Sequence, residues 1–113
     1  MNDCIFCKIS AGELPAKIVD RSAHAIAIED LNPQAPTHLL VIPVEHYATL
    51  GDATATDARL VAEVMSLASR LGARHGSEGG FRLVVNTGAD GGQTVGHLHV
   101  HVLAGRRMTW PPG

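Results

Sequence analysis

Aromatic residues are scarce in this 113-residue chain: two Phe, one Tyr and one Trp make up 4% of it. Its core must therefore be built from aliphatic side chains. Neither sign of charge dominates, with nine basic and eleven acidic residues and a net charge of −2. That balance implies neither a nucleic-acid groove nor a membrane-binding surface. No apolar run approaches the roughly 20 residues that span a bilayer. The opening MNDCIFCKISAGELP carries Asp3, Lys8 and Glu13, which leaves no apolar segment of the secretory type. The expected address is the cytoplasm. Cysteine is nearly absent too, and two cysteines in that compartment read as thiols or metal ligands before they read as a disulfide. Repeats and low-complexity tracts are missing. What is present, at 45% hydrophobic and 18% charged, is the composition of one globular domain over residues 1–113. A chain of this size buries roughly two-thirds of its unfolded surface, enough for a core.

One segment has a strong helical period. In TDARLVAEVMSLASRLGARHG, Leu60, Val61, Val64, Met65, Leu67, Ala68 and Leu71 fall on one face, which predicts a helix near 57–73. Thr54 with Asp57, or Thr56 alone, is a candidate start; Gly72 or Gly76 is a candidate end. Elsewhere the period is two, or the runs are short and apolar. AIAIE (25–29), HLLVI (38–42), FRLVV (81–85) and HLHVHVL (97–103) read as strands, with KIVD (17–20) a weaker one. Five strands and one long helix predict an α+β fold with a largely antiparallel sheet.

The segment HLHVHVL spends three of seven histidines at alternate positions. Alternate residues of a strand share a face. His97, His99 and His101 therefore point one way, and Leu98, Val100 and Val102 point toward the helix. Imidazole is near neutral at pH 7 and can attack, accept a proton or bind a metal. The outer two rings are rooted roughly 13 Å apart, too far to converge easily on one ion. Divided labour is the better expectation: one ring does chemistry, a neighbour contacts the same substrate group, and the third serves elsewhere. Just before the strand, GADGGQTVG (88–96) holds four glycines. Such a loop can turn backbone N–H groups toward an anion. It follows neither the Walker A nor the dinucleotide-binding pattern.

Cys4 and Cys7 form a C-x₂-C pair at the chain start. A redox motif of that spacing should follow a strand in a βαβ unit, and none precedes it here. A zinc site needs two more ligands. His46, just beyond the second clear strand, and His97 would complete a Cys₂His₂ set, although His24 and His75 are also in the chain. Those two read as surface residues.

The pattern His-φ-His-φ-His-φ-φ at 97–103 resembles the signature of the histidine triad (HIT) family. The likeness covers nearly the whole chain: DLNPQAPTHLLVIPVEH, FRLVVNTGADGGQTVGHLHVHVL and the final TWPPG all look like its Hint branch, the nucleoside phosphoramidate hydrolases. The resemblance implies a subunit that pairs into a ten-stranded sheet as a homodimer. It implies a small-molecule substrate in which a nucleoside monophosphate such as AMP or GMP is joined to an amine or another leaving group. By position, His99 resembles the nucleophile that becomes nucleotidylated, His101 the ring on the phosphate oxygens, and His38 a fourth histidine that orients the nucleophile. Asp30 falls where the family contacts the ribose and Leu31 where it contacts the base. Asn86, Gly92, Gln93 and Thr94 match phosphate-binding positions, and Trp110 a residue near the partner's site. Relatives with an N-terminal C-x₂-C use two cysteines and two histidines for a structural zinc, which supports Cys4, Cys7, His46 and His97.

Two positions depart from the branch. Gly96 replaces a bulkier residue, and Thr94 replaces serine. Three other readings compete: a non-catalytic nucleotide-binding dimer, a dinucleoside polyphosphate hydrolase, and a nucleotidyltransferase. The intact triad weighs against the first and WPPG against the second. The short chain, with Leu98 where the third class has proline, weighs against the third.

Overall fold

The computed structural model describes residues 3–113. Its elements, in chain order, are α1 (Ile5–Ser10), β1 (Ile18–Arg21), β2 (Ala25–Glu29), β3 (Thr37–Pro43), α2 (Leu50–Thr56), α3 (Ala58–Gly76), β4 (Phe81–Val84) and β5 (Val100–Ala104), with a 3₁₀ turn at Ser77–Gly79. The five strands form one sheet in the order β1-β2-β3-β5-β4. Every pairing is antiparallel. The fold is α+β, and α3 carries the chain from the sheet's centre to its edge, so β5 returns between β3 and β4.

The central strands are apolar on both sides, which is why they read as runs and not as alternations. Ala25, Ala27, Leu39, Val41, Val100 and Val102 pack against Leu60, Val64, Leu67, Ala68 and Leu71 of α3. Ile26, Ile28, Leu40 and Ile42 face the other way and meet Phe6 of α1. The register sets Leu40 opposite His101, so that histidine shares the α1 face.

The structure corrects three expectations. α3 begins at Ala58 and is capped by Asp57, whose Oδ1 accepts from the Leu60 N–H at 3.2 Å. Thr54 instead bonds its hydroxyl to the Leu50 carbonyl inside α2, and of the two candidate ends Gly72 lies within α3 while Gly76 is its last residue, as expected. The last strand begins at Val100, so His97 to His99 form an irregular lead-in. Pro43 supplies the reason. It has no N–H to extend the ladder, and its carbonyl accepts from the His97 ring at 2.8 Å. Lastly, α1 and α2 are helices that no period announced. No helix among the described residues is long and apolar enough to cross a membrane.

Candidate active site and metal centre

Backbone groups fix the protons on the site's imidazoles. A carbonyl oxygen can only accept, so His99 Nδ1, 2.8 Å from the His97 carbonyl, carries the proton. Its Nε2 keeps the lone pair. A backbone N–H can only donate, so His38 Nδ1, 3.0 Å from the Gln34 nitrogen, is an acceptor. Neutral His38 then holds its proton on Nε2, which donates to His101 Nδ1 at 2.9 Å. His101 in turn bears its N–H on Nε2. Asp30 supports this chain: Oδ1 accepts from the Asn32 N–H at 2.8 Å, and Oδ2 lies 3.4 Å from His38 Nε2.

Burial favours the neutral form of His101 and His38. It pushes His101 down to about 4, helped by His99 and His38 and opposed by Asp30. Burial also lowers His38, against the pull of Asp30. The proton on His38 Nε2 points into the space between the two rings and Asp30. That trio is close enough to hold a metal, but the Gln34 N–H commits it to hydrogen bonding.

His99 and His101 open into a cavity of about 250 Å³ whose floor includes Ile28, Leu40 and Asp30, with Leu31 and Thr94 at its sides. Its far wall is α1, through Ile5, Phe6 and Ile9. The Phe6 ring meets His99 edge-on at 5.3 Å and His97 at 5.7 Å. Sequence reasoning missed this wall; the only hint was the pair of apolar residues inside CIFC.

Of the residues matched by resemblance, the structure brings His99, His101, Asp30, Leu31 and Thr94 to one cavity, with His38 directly behind. His38 bonds His101, where the resemblance implied the nucleophile; His99 is held by the main chain instead. Gln93 braces its own loop, donating to the Ala48 and Val95 carbonyls at 2.7 and 3.0 Å and accepting from Gly88. The N–H groups of Gly92 and Gln93 are likewise spent on the Ala89 and Gly88 carbonyls. Asn86 Nδ2 lies beside Gly92, 3.9 Å from where a Cβ would stand. Trp110 is 84% exposed and does not reach this chain's cavity.

The second cluster is Cys4, Cys7, His46 and His97, whose ligating atoms all lie within 4.8 Å of one another. His97 Nδ1 is 3.2 Å from Cys4 Sγ and 3.5 Å from Cys7 Sγ. His46 Nδ1 is 3.3 Å from Cys7 Sγ and 3.1 Å from His97 Nδ1. A tetrahedral ion with bonds of about 2.0–2.3 Å holds its donors roughly 3.3–3.8 Å apart. The His97 Nε2–H on the Pro43 carbonyl leaves Nδ1 as the free lone pair, the outer-sphere support typical of a metal-bound imidazole. The donor set fits a four-coordinate metal. Burial lowers the His97 pKa, which favours the neutral ligand form. His24 and His75 take no part: both are exposed, and His24 pairs with Glu63 at 2.9 Å.

Known proteins share this sequence pattern and this fold. The HIT domain model matches residues 11–108, a span that leaves out both cysteines. An uncharacterised HIT-like protein of Synechococcus elongatus is 46% identical over 111 residues, which cover 98% of this chain and 97% of its own. A HIT family hydrolase from Legionella pneumophila superposes with a TM-score of 0.92 at 49% identity, covering 98% of this chain and all of its own. A zinc-bound histidine triad family protein from Mycobacterium smegmatis gives 0.82 at 32% identity, over 98% of this chain and 80% of its own.

Proposed function

The chain belongs to the HIT domain family, and from that membership and the site geometry we propose that it hydrolyses nucleoside 5′-monophosphate derivatives, of the Hint-like phosphoramidate type, through a nucleotidyl intermediate on His99. The observation that carries the reading is the His99 Nδ1–H bond to the His97 carbonyl, which leaves Nε2 unprotonated in a cavity shared with His101.

His99 Nε2 attacks the α-phosphorus, and the P–N bond to the leaving amine breaks. Charge grows on the non-bridging oxygens, where the His101 Nε2–H and the Thr94 hydroxyl donate to it. His101 is held in the donating tautomer by His38, and the departing amine takes up a proton from solvent as it leaves. Water then cleaves the phosphorus–nitrogen bond to His99 and releases the nucleoside monophosphate. Ile5, Phe6, Ile9 and Leu31 offer the apolar surface a nucleobase needs, and Asp30 stands where ribose hydroxyls would lie. Asn86, Gly92 and Gln93 lie outside the cavity lining, and Gln93 acts by shaping the loop that carries Thr94 to it.

Cys4, Cys7, His46 and His97 would hold zinc, which supplies a cross-link between the N-terminal segment and the sheet. The outer edge of β4 is unpaired among the described residues; a homodimer built there would give the ten-stranded sheet and carry Trp110 toward the partner. The protein acts in the cytoplasm on this reading.

Incubating the protein with an adenosine phosphoramidate tests the activity. Wild type should release AMP and show, by mass spectrometry, an AMP adduct on the peptide containing His99. His99→Ala should do neither while keeping its fold and metal. Near-normal turnover by that variant would overturn the assignment. An adduct without turnover would favour a binding protein, and a faster rate on dinucleoside polyphosphates would favour a different branch of the family.

A further inference from the structure

The two sides of the cavity are held by different means. On the histidine side, the main chain does the holding. The His97 ring donates to the Pro43 carbonyl at 2.8 Å, the Leu98 N–H to the Tyr47 carbonyl at 2.7 Å, and His99 to the His97 carbonyl. Those anchors belong to the sheet and its flanks. On the apolar side the wall is α1, a helix of six residues. An isolated helix that short has no stability of its own in water. Its backbone hydrogen bonds from Lys8 to Glu13 close within the segment: Lys8 to Cys4, Ala11 to Cys7, Gly12 to Ile9 and Glu13 to Lys8.

Two things dock α1. Phe6 enters the small cluster of Ile26, Ile28, Leu40 and Ile42, with Ile9 and Cys4 packed against it. Cys4 and Cys7, flanking Ile5 and Phe6, reach across to His46 and His97. Ile5 itself is 46% exposed, so its place at the cavity depends on the cysteines on either side of it and not on burial.

We propose that the Cys4–Cys7–His46–His97 group is a control on nucleoside affinity. Bound metal docks α1 and so completes the apolar wall, while the hydrogen bonds that orient His99 and His101 on the phosphorus-reacting side are made without α1, which touches His99 through the Phe6 ring. The proposal rests on reading the cavity as a nucleotide site. It predicts a split that a purely stabilising metal would not produce. Metal loss weakens binding of the base-bearing part of a ligand and leaves recognition of its phosphate alone.

The experiment compares AMP with ribose 5-phosphate by titration calorimetry, on the zinc-loaded protein and after chelation. Loss of an apolar wall of this kind should weaken AMP by about tenfold or more, and ribose 5-phosphate by less than about twofold. Hydrogen exchange read in parallel should show residues 3–16 losing protection while Val100–Ala104 keep theirs. In the loaded protein, Ile5→Ala should reproduce the AMP effect alone. Equal AMP affinity with and without metal overturns the proposal, as does equal weakening of both ligands. Collapse of protection across β5 on chelation overturns it as well, since the metal would then hold the whole fold. Failure of the loaded protein to bind AMP at all would instead strike at the nucleotide reading itself.

Discussion

The His97 carbonyl accepts the Nδ1 proton of His99 at 2.8 Å, while the ring of His97 turns its own Nδ1 toward Cys4 at 3.2 Å. One residue thus joins two clusters, its main chain orienting the His99 ring and its side chain lying with Cys4, Cys7 and His46 in a group that could hold a metal. The alternate spacing makes this possible without conflict. His97 is wholly buried, and its remaining ring nitrogen is anchored on Pro43, so neither task depends on a mobile group.

Cys4→Ala removes one donor of four and also the cap of α1, whose Sγ accepts from the Cys7 N–H at 3.4 Å. The variant should lose its metal on elemental analysis. It should also melt earlier, by about 4–8 °C for each kcal/mol lost in a chain near this size. Full zinc content in the purified variant would remove Cys4 from the ligand set.

In the proposed reaction His38 works through the hydrogen bond to His101, and that contribution is separable from bulk. His38→Ala deletes the donor that fixes the His101 tautomer, and kcat on an adenosine phosphoramidate should fall about a hundredfold. His38→Gln places an amide N–H where Nε2–H stood and should recover most of that loss. If the two variants are equally slow, then the hydrogen bond at 2.9 Å is not what His38 provides.

How much of this was open to sequence reasoning depends on length and on register. α3 runs 19 residues with an apolar stripe, and that period survives any error at its ends. α1 and α2 span six and seven residues, too few turns to establish a stripe, and each buries a single side chain. The cap of α1 is a cysteine, which stands outside the usual Ser, Thr, Asp and Asn signals. The zinc-type set could be assembled because a C-x₂-C pair needs two further ligands. The Gln34–His38–His101 relay could not be. It depends on β3 and β5 pairing with Leu40 opposite His101, and on a main-chain N–H in the preceding loop. Gln93 shows the opposite limit: its position matched a ligand contact, yet its amide is wholly engaged in shaping the loop.

Of two glycines, alanine should destabilise one and leave the other unchanged. A Cβ at Gly72 would stand 2.2–2.6 Å from the Phe81 ring, which packs over α3 at that point. Overpacking of this kind costs about 1–3 kcal/mol, so Gly72→Ala should show an earlier denaturant midpoint with an unchanged slope. At Gly96 nothing lies within 4 Å of a built Cβ. Gly96→Ala should unfold at the wild-type midpoint, and the absence of a bulkier residue at that site is no structural requirement. A clear loss of stability in the second variant would show that the lead-in to His97 needs glycine for its backbone.

Away from the cavity, Glu63 of α3 ties the β1–β2 turn to the helix and makes stability depend on pH. Its carboxylate accepts from the Ser22 hydroxyl at 2.5 Å, the His24 ring at 2.9 Å and the His24 N–H at 2.6 Å. These bonds, that from Ser22 foremost, hold its pKa at about 2 against the usual 4.5. The same carboxylate raises His24 above 6.5, chiefly by hydrogen bonding. A depressed acid adds stability above its unfolded pKa and loses it as pH falls through the folded value. A raised base adds stability below its unfolded pKa and loses it as pH climbs through the folded one. Both contributions are complete only between 4.5 and 6.5. The gap in melting temperature between wild type and Glu63→Gln should therefore peak near about pH 5.5. It should narrow below about pH 3, where the carboxylate gains its proton, and narrow in part as pH climbs above 6.5 through the raised value of His24, where that ring becomes neutral but the Ser22 and N–H bonds persist. A gap that stays constant across that range would mean Glu63 stabilises the turn by packing and neutral hydrogen bonds, with no role for its charge.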